Sequence, residues 1–277
     1  MQIKKLERLS NMDRRIIYLL IGVVVIIPFF MPMNLPIYVS PSVQSIYDYI
    51  ESLSPGSVVV FGFNFGPSTM PELYPMSLAV LRHCYYRNLR VIGLTFYSTG
   101  AVIGDDAMQT VASEFGYKEH EDYTYLGYKS SKSDAIILGM GEDISIPFPT
   151  DYSNYPVSKI PMMQNIKNYN DISLIVDFGS GNSPDWWITY AGARYHEKIA
   201  IGCTGVMVSG LYPYLKAGQL VGLIGGLKGA AEYEKLISKP AKATLGMNAQ
   251  SIAHLAIILL VVFGNVIFLL EKHRSER

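Results

Sequence analysis

Hydrophobic positions fall into three patterns along this chain: long uncharged runs near the two ends, short solid runs in the middle, and amphipathic stretches between the short runs. The short runs are Ser57–Phe65, Arg90–Tyr97, Asp134–Met140, Ser173–Phe178 and Lys198–Gly202, apolar nearly throughout. A strand reads this way when helices cover both faces of its sheet and neither face meets water. Tyr123–Tyr128 alternates instead and predicts an edge strand. Helix signals lie between the runs. Val43, Ile46, Tyr47 and Ile50 recur at helical spacing within Pro41–Leu53, and Pro55-Gly56 ends that segment. Thr69-Met-Pro-Glu72 fits a capping box with Pro71 in the first turn. Gly104-Asp-Asp opens a helix that Gly116 closes, and Ser183-Pro184-Asp185 opens another over Trp186–Tyr195. Val157, Ile160, Met163 and Ile166 mark a further helix between Pro156 and Tyr169. Strand–helix alternation of this kind predicts one α/β domain, a mostly parallel open sheet of about five strands with helices on both faces.

The end runs change the picture from a soluble domain to an anchored one. Ile16–Met33 is eighteen residues without a charge, or ~27 Å of helix against a ~30 Å hydrocarbon core. Ile252–Leu270 is nineteen residues, fourteen of them Ile, Leu, Val or Phe, which outweigh His254 and Asn265. Both read as transmembrane helices, flanking a domain over residues 34–251. The exit side of the first run, Phe-Met-Pro-Met-Asn-Leu-Pro, lacks a small-x-small cleavage site, so it reads as an uncleaved anchor. Lys4, Lys5, Arg8, Arg14 and Arg15 precede the first run, and Lys272, Arg274 and Arg277 follow the second. Basic flanks stay in the cytoplasm. The expectation is therefore a two-pass cell-membrane protein with residues 1–15 and 271–277 cytoplasmic and the domain outside. Lys239 and Lys242, before the second run, pull the other way.

Charge and cysteine content narrow the field of partners. Lys and Arg total 23 and Asp and Glu total 23, with no basic run in the middle, so a nucleic-acid surface is not expected. Two cysteines, Cys84 and Cys203, make no disulfide framework and are expected free and buried. Membrane lipid is the implied partner, together with a second copy or another membrane protein.

Candidate chemistry sits where an open parallel sheet places it, beyond the carboxyl ends of the strands. Loops there carry Gly, Ser and Thr, and several run into helix starts. The candidate ligand-binding residues are Asn64, Gly66, Thr99, Gly139, Gly141, Asp177, Ser180 and Thr204. The same residue types also serve simply to turn the chain. No Gly-x4-Gly-Lys-[Ser/Thr] is present, Gly139-x-Gly141 lacks a third glycine, and Gly179-Ser180-Gly181 is not a Gly-x-Ser-x-Gly elbow. Asp177 suits a base or a metal ligand, and equally a turn or cap. Glu119-His-Glu-Asp122 could hold a cation or form a solvated turn. No His or Cys spacing indicates a metal, and no cofactor is indicated. Of the adjacent Trp186 and Trp187, one is expected in the core and the other near the strand-end mouth or against a partner.

From Ile199 to Leu227 the only charge is Lys216. Pro213 and the hydroxyl-bearing residues argue against a third span there. Gly218, Gly222, Gly226 and Ala230 recur every four residues and predict a small-residue stripe on one helix, a candidate interface.

Four strings are distinctive: Pro71-Glu-Leu, Leu138-Gly-Met-Gly-Glu-Asp-Ile144 with Pro149-Thr-Asp-Tyr152, Pro184-Asp-Trp-Trp187, and the stretch Gln219–Leu236. They resemble a family of uncharacterised membrane-anchored bacterial and archaeal proteins with an α/β domain between two transmembrane helices. The resemblance implies a tethered domain and brings no activity, cofactor or site with it. On these grounds the expected function is a non-catalytic module that binds a small ligand or docks onto a membrane complex. The alternative is a membrane-bound hydrolase or transferase using Asp177, Ser180 or Cys203 with a histidine.

Overall fold

The computed structural model describes residues 13–30, 35–129 and 131–275, in two compact units: residues 37–244, and the two ends of the chain. Residues 1–12, the end of the first apolar run at 31–33, and residues 276–277 lie outside what is described. In the end unit, helix α1 (Arg14–Phe30) presents Leu19, Ile26 and Phe30 outward. Helix α10 spans Lys242–Ser275. Its stretch Lys242–Leu270, 29 residues, is the one described helix long and apolar enough to cross a membrane, and Leu255, Ile258 and Phe268 are exposed along it.

Residues 37–244 form a six-stranded sheet: β1 (Val58–Asn64), β2 (Arg90–Thr95), β3 (Tyr123–Tyr128), β4 (Leu174–Gly179), β5 (Ile199–Cys203) and β6 (Gly222–Gly225). All neighbours pair in parallel, in the order β3-β2-β1-β4-β5-β6. Alternate side chains serve opposite faces. Val58 and Val60 join Ile175, Ile199 and Leu223 in one core, while Phe61 and Phe63 pack in tilted contacts against Phe178 on the other face. Helices α2 (Pro41–Ser52), α3 (Met70–Tyr86), α4 (Gly100–Phe115) and α9 (Gly226–Leu236) pack together over the phenylalanine face. The other face is covered by α5 (Ser133–Glu142), a run of 3-10 turns, α8 (Val208–Lys216), and a composite helix. That helix begins as α6 (Ser183–Trp186), passes through a π-helical segment Trp187–Gly192 and ends as α7 (Ala193–Tyr195).

Three expected elements differ. Asp134–Met140 is helix α5, not a strand. Its buried residues Ile136, Ile137 and Met140 lie on one helical face, and Asp134 sits in the first turn. In so short and solid an apolar run, neither period shows. Pro156–Tyr169 is not a helix but 3-10 turns at Val157–Lys159, Pro161–Asn165 and Tyr169–Asp171. Its buried positions 157, 160, 163 and 166 are spaced by three, the 3-10 period, and Pro161 starts a fresh turn. The helix expected to carry the glycine stripe is really a turn, strand β6 and the start of α9. Gly218 turns the chain at φ +73°, Gly222 is in the strand, Gly226 enters α9 at φ +60°, and only Ala230 lies within the helix. No stripe exists.

Two helix starts differ in detail. Thr69 makes no side-chain cap, so the capping box does not form. Helix α4 starts at Gly100, one turn before Gly104, and ends as expected at left-handed Gly116. Glu234 supplies the cap that begins α10, accepting from the amides of Ala241, Ala243 and Thr244 and from the Thr244 hydroxyl.

Candidate functional site at the sheet switch point

The strand order reverses direction between β1 and β4, since β1 leads outward to β2 and β3 while β4 leads the other way. The loops after these strands must diverge there, and the divergence leaves a crevice where doubly wound folds bind ligands. Beneath it the carboxyl ends of three strands are tied by one buried side chain. Asn64 Nδ2 donates to Asp177 Oδ1 at 2.5 Å, and Asn64 Oδ1 accepts from the Phe96 amide at 2.6 Å. The Ser183 hydroxyl donates to Asp177 Oδ2 at 2.7 Å. Gly62 makes room for this, because a Cβ there would fall 2.4 Å from Asp177 Oδ1. The Trp187 indole N–H is directed at the same carboxylate without reaching hydrogen-bond geometry. Asp177 is fully buried, and burial pushes its carboxyl up to about 7 against the pull of Asn64 and Ser183.

Above this network the loop after β4 and the segment after β5 bound a cleft of about 490 Å³, lined by Ser180, Gly181, Asn182, Asp185, Ser209, Gly210 and Tyr214 among others. The Ser180 amide donates to Asn64 O at 3.1 Å, which fixes the cleft floor to β1. Val206 stands at its edge, 88% exposed.

The expected site residues divide accordingly. Ser180 lines the cleft. Asn64 and Asp177 come together, but as its buried support. Gly66 and Thr99 meet on the other side of the crevice, where a Cβ on Gly66 would lie 3.1 Å from Thr99 Oγ1. Thr204 follows β5 directly and is buried. Gly139 and Gly141 are not at the rim at all. They belong to α5, packed on Pro147 and on the Tyr195 ring, at the edge where strands enter. Residues 206–214 of the cleft were missed. Their signal was the hydroxyl- and glycine-bearing stretch after β5 that also spoke against a third span.

The crevice is poorly equipped for phosphate. The amides of Thr69 and Met70 at the start of α3 are both taken by Gly66 O, and Pro71 has none. Glu72 occupies the first turn and accepts from the Gly205 amide at 2.9 Å, putting a carboxylate where a pyrophosphate would need donors.

Nucleophilic catalysis is equally unsupported. Cys203 is buried and its thiol is pushed up to about 12, mainly by desolvation. No histidine lines the cleft. His83 is held by Tyr233 and Glu51, and His120 by Asp151. Both cysteines are free and buried, as expected. Trp187 is in the core while half-buried Trp186 packs on Phe96 and Tyr97 near the rim, also as expected.

Away from the rim, Glu119, His120 and Asp151 bring one potential ligand atom each within 4.8 Å of one another. His120 Nε2 and Asp151 Oδ2 are 2.6 Å apart, and that direct hydrogen bond accounts for the approach. The neighbouring Glu121 pairs with Lys118 instead.

No family model, curated protein or solved structure matches this chain.

Proposed function

We propose that this protein is a membrane-tethered, non-catalytic α/β module that binds a small, polar, uncharged ligand in the cleft beyond the carboxyl ends of β4 and β5. The cleft above the Asn64–Asp177–Ser183 network carries the reading, because it lies beyond the carboxyl ends of β4 and β5, beside the switch point, and is lined by hydroxyl, amide and carboxylate groups. Glu72 at the start of α3 disfavours an anionic ligand. The tether consists of Ile16–Met33 and Ile252–Leu270, both crossing the bilayer, with both termini cytoplasmic and lipid the partner of the exposed apolar side chains. A hydrolase built on Asp177, Ser180 or Cys203 finds no histidine in the cleft lining, a Ser180 hydroxyl that donates to Asn64 O, and a Cys203 thiol raised by burial.

Gly210 offers a clean test. It faces the cleft from α8, and a Cβ there meets nothing within 4 Å. Gly210→Trp therefore fills the cleft while improving helix propensity. Native mass spectrometry of the gently extracted protein should show a small-molecule adduct on the wild type and none on the variant. An adduct equal on both, or none on the wild type, removes the cleft from the account.

A further inference from the structure

At the opposite edge of the sheet, where β5 and β6 begin, a cavity of about 720 Å³ opens between α2, the π-helical segment and the turn into β6. One wall is apolar, formed by Ile188, Ile199 and Leu220. Its titratable and charged groups are Asp48 and Tyr49 from α2, and His196, Glu197 and Lys198 from the loop into β5; the turn into β6 contributes only Gln219. Asp48 already accepts from Gln44, and the Tyr49 hydroxyl donates to Ser173 O. Glu197 differs from both. It is half-buried, yet its carboxylate has no hydrogen bond or ion pair with any described residue. Burial alone pushes it up to about 7. Its carboxylate is thus partly desolvated, lines the cavity and carries no protein donor, which leaves it free to pair with a cation there.

The backbone around this cavity is unusual as well. The π-helical wall is a geometry that concentrates at functional sites. His196, a non-glycine residue, takes a left-handed conformation at φ 62°.

We propose that this cavity binds an organic ammonium or guanidinium group, with the Glu197 carboxylate as its counter-ion and Ile188, Ile199 and Leu220 holding the apolar part of the molecule. Asp48 adds a second negative charge to the lining, and Lys198, itself exposed, is the cation at its edge.

The test uses the full chain in detergent micelles and 1,5-diaminopentane as probe, with 1,5-pentanediol as its uncharged counterpart, by titration calorimetry. The diamine should bind saturably at pH 8 and about tenfold more weakly at pH 6, because Glu197 must give up a proton to receive it. The same fall should persist in His196→Asn, which removes the neighbouring imidazole from the lining. At pH 7, binding should release about half a proton, read from buffers of different ionisation enthalpy. Glu197→Gln should abolish binding with an unchanged melting curve, whereas Gly210→Trp at the opposite edge should leave it intact. Equal binding by the diol, equal binding by Glu197→Gln, or no saturable binding at pH 8 by natively melting protein overturns the proposal. Should Glu197→Gln misfold, absence of proton release from the wild type overturns it alone.

Discussion

Asp177 is shielded from water on every side, and two donors hold it. Its carboxyl keeps a proton up to about pH 7 in the folded protein but releases it near pH 4 when unfolded. The folded state thus binds the extra proton between those values. Stability from this group is complete below about pH 4 and falls as pH rises to about 7, by up to roughly 4 kcal/mol. Asp177→Asn preserves the geometry, with Oδ1 accepting from Asn64 and Nδ2 donating to the Ser183 oxygen. Urea melts at pH 5 and pH 8 should show a smaller loss of stability over that interval in the variant than in the wild type, Glu197 titrating in both. Equal losses would mean the buried carboxylate is solvated after all. The cysteines give a second reading at this scale. Desolvation raises both thiols, so iodoacetamide should leave Cys84 and Cys203 unmodified in native protein and alkylate both in urea. Rapid native labelling of Cys203 would revive it as a nucleophile.

At the scale of elements, the glycines after α8 answer local demands that happen to recur every four residues. A Cβ on Gly222 would fall 2.4 Å from Ser42 O, so β6 and α2 pack backbone to backbone. A Cβ on Gly226 would meet Gly205 Cα at 3.1 Å, in a left-handed conformation besides. Gly226→Leu should therefore cost ~1–3 kcal/mol or more, lowering the melting temperature while particle size after detergent extraction stays fixed. A smaller particle at unchanged stability would restore the intermolecular interface. The start of α10 depends on Glu234 in a comparable way. Glu234→Ala strips three amides and one hydroxyl of their acceptor and should cost ~1–3 kcal/mol. Hydrogen exchange at Ala243 and Thr244 should accelerate, and unchanged protection there would show that another group caps the helix.

Over the whole molecule, the basic clusters before Ile16 and after Leu270 set the expected orientation. A reporter active only outside the cytoplasm should be active when fused near Lys132 and inactive after Arg277. The reverse pattern would place the domain in the cytoplasm.

Much of this architecture was legible in the chain. Solid apolar runs bounded by turn signals located β1, β2, β4 and β5, and alternation located β3, because a doubly covered sheet has no polar face to conceal. The apolar run Ile252–Leu270 followed from length and hydrophobicity alone, and lies within a helix that starts ten residues earlier, at Lys242. Where a run is too short to show a period, tertiary packing decided. Asp134–Met140 became α5 because its apolar face had a sheet to cover, and four residues from Gly222 became β6 because an open edge of β5 lay beside them. The site divided in the same way. Sequence brought Asn64, Asp177 and Ser180 forward by their places at strand ends. Only the folded sheet set two of them beneath the cleft and one in its wall, moved Gly139 and Gly141 to the opposite edge, and left Glu197 half-buried without a partner. Burial and pairing depend on what the rest of the chain brings alongside, and no local pattern of residues encodes that.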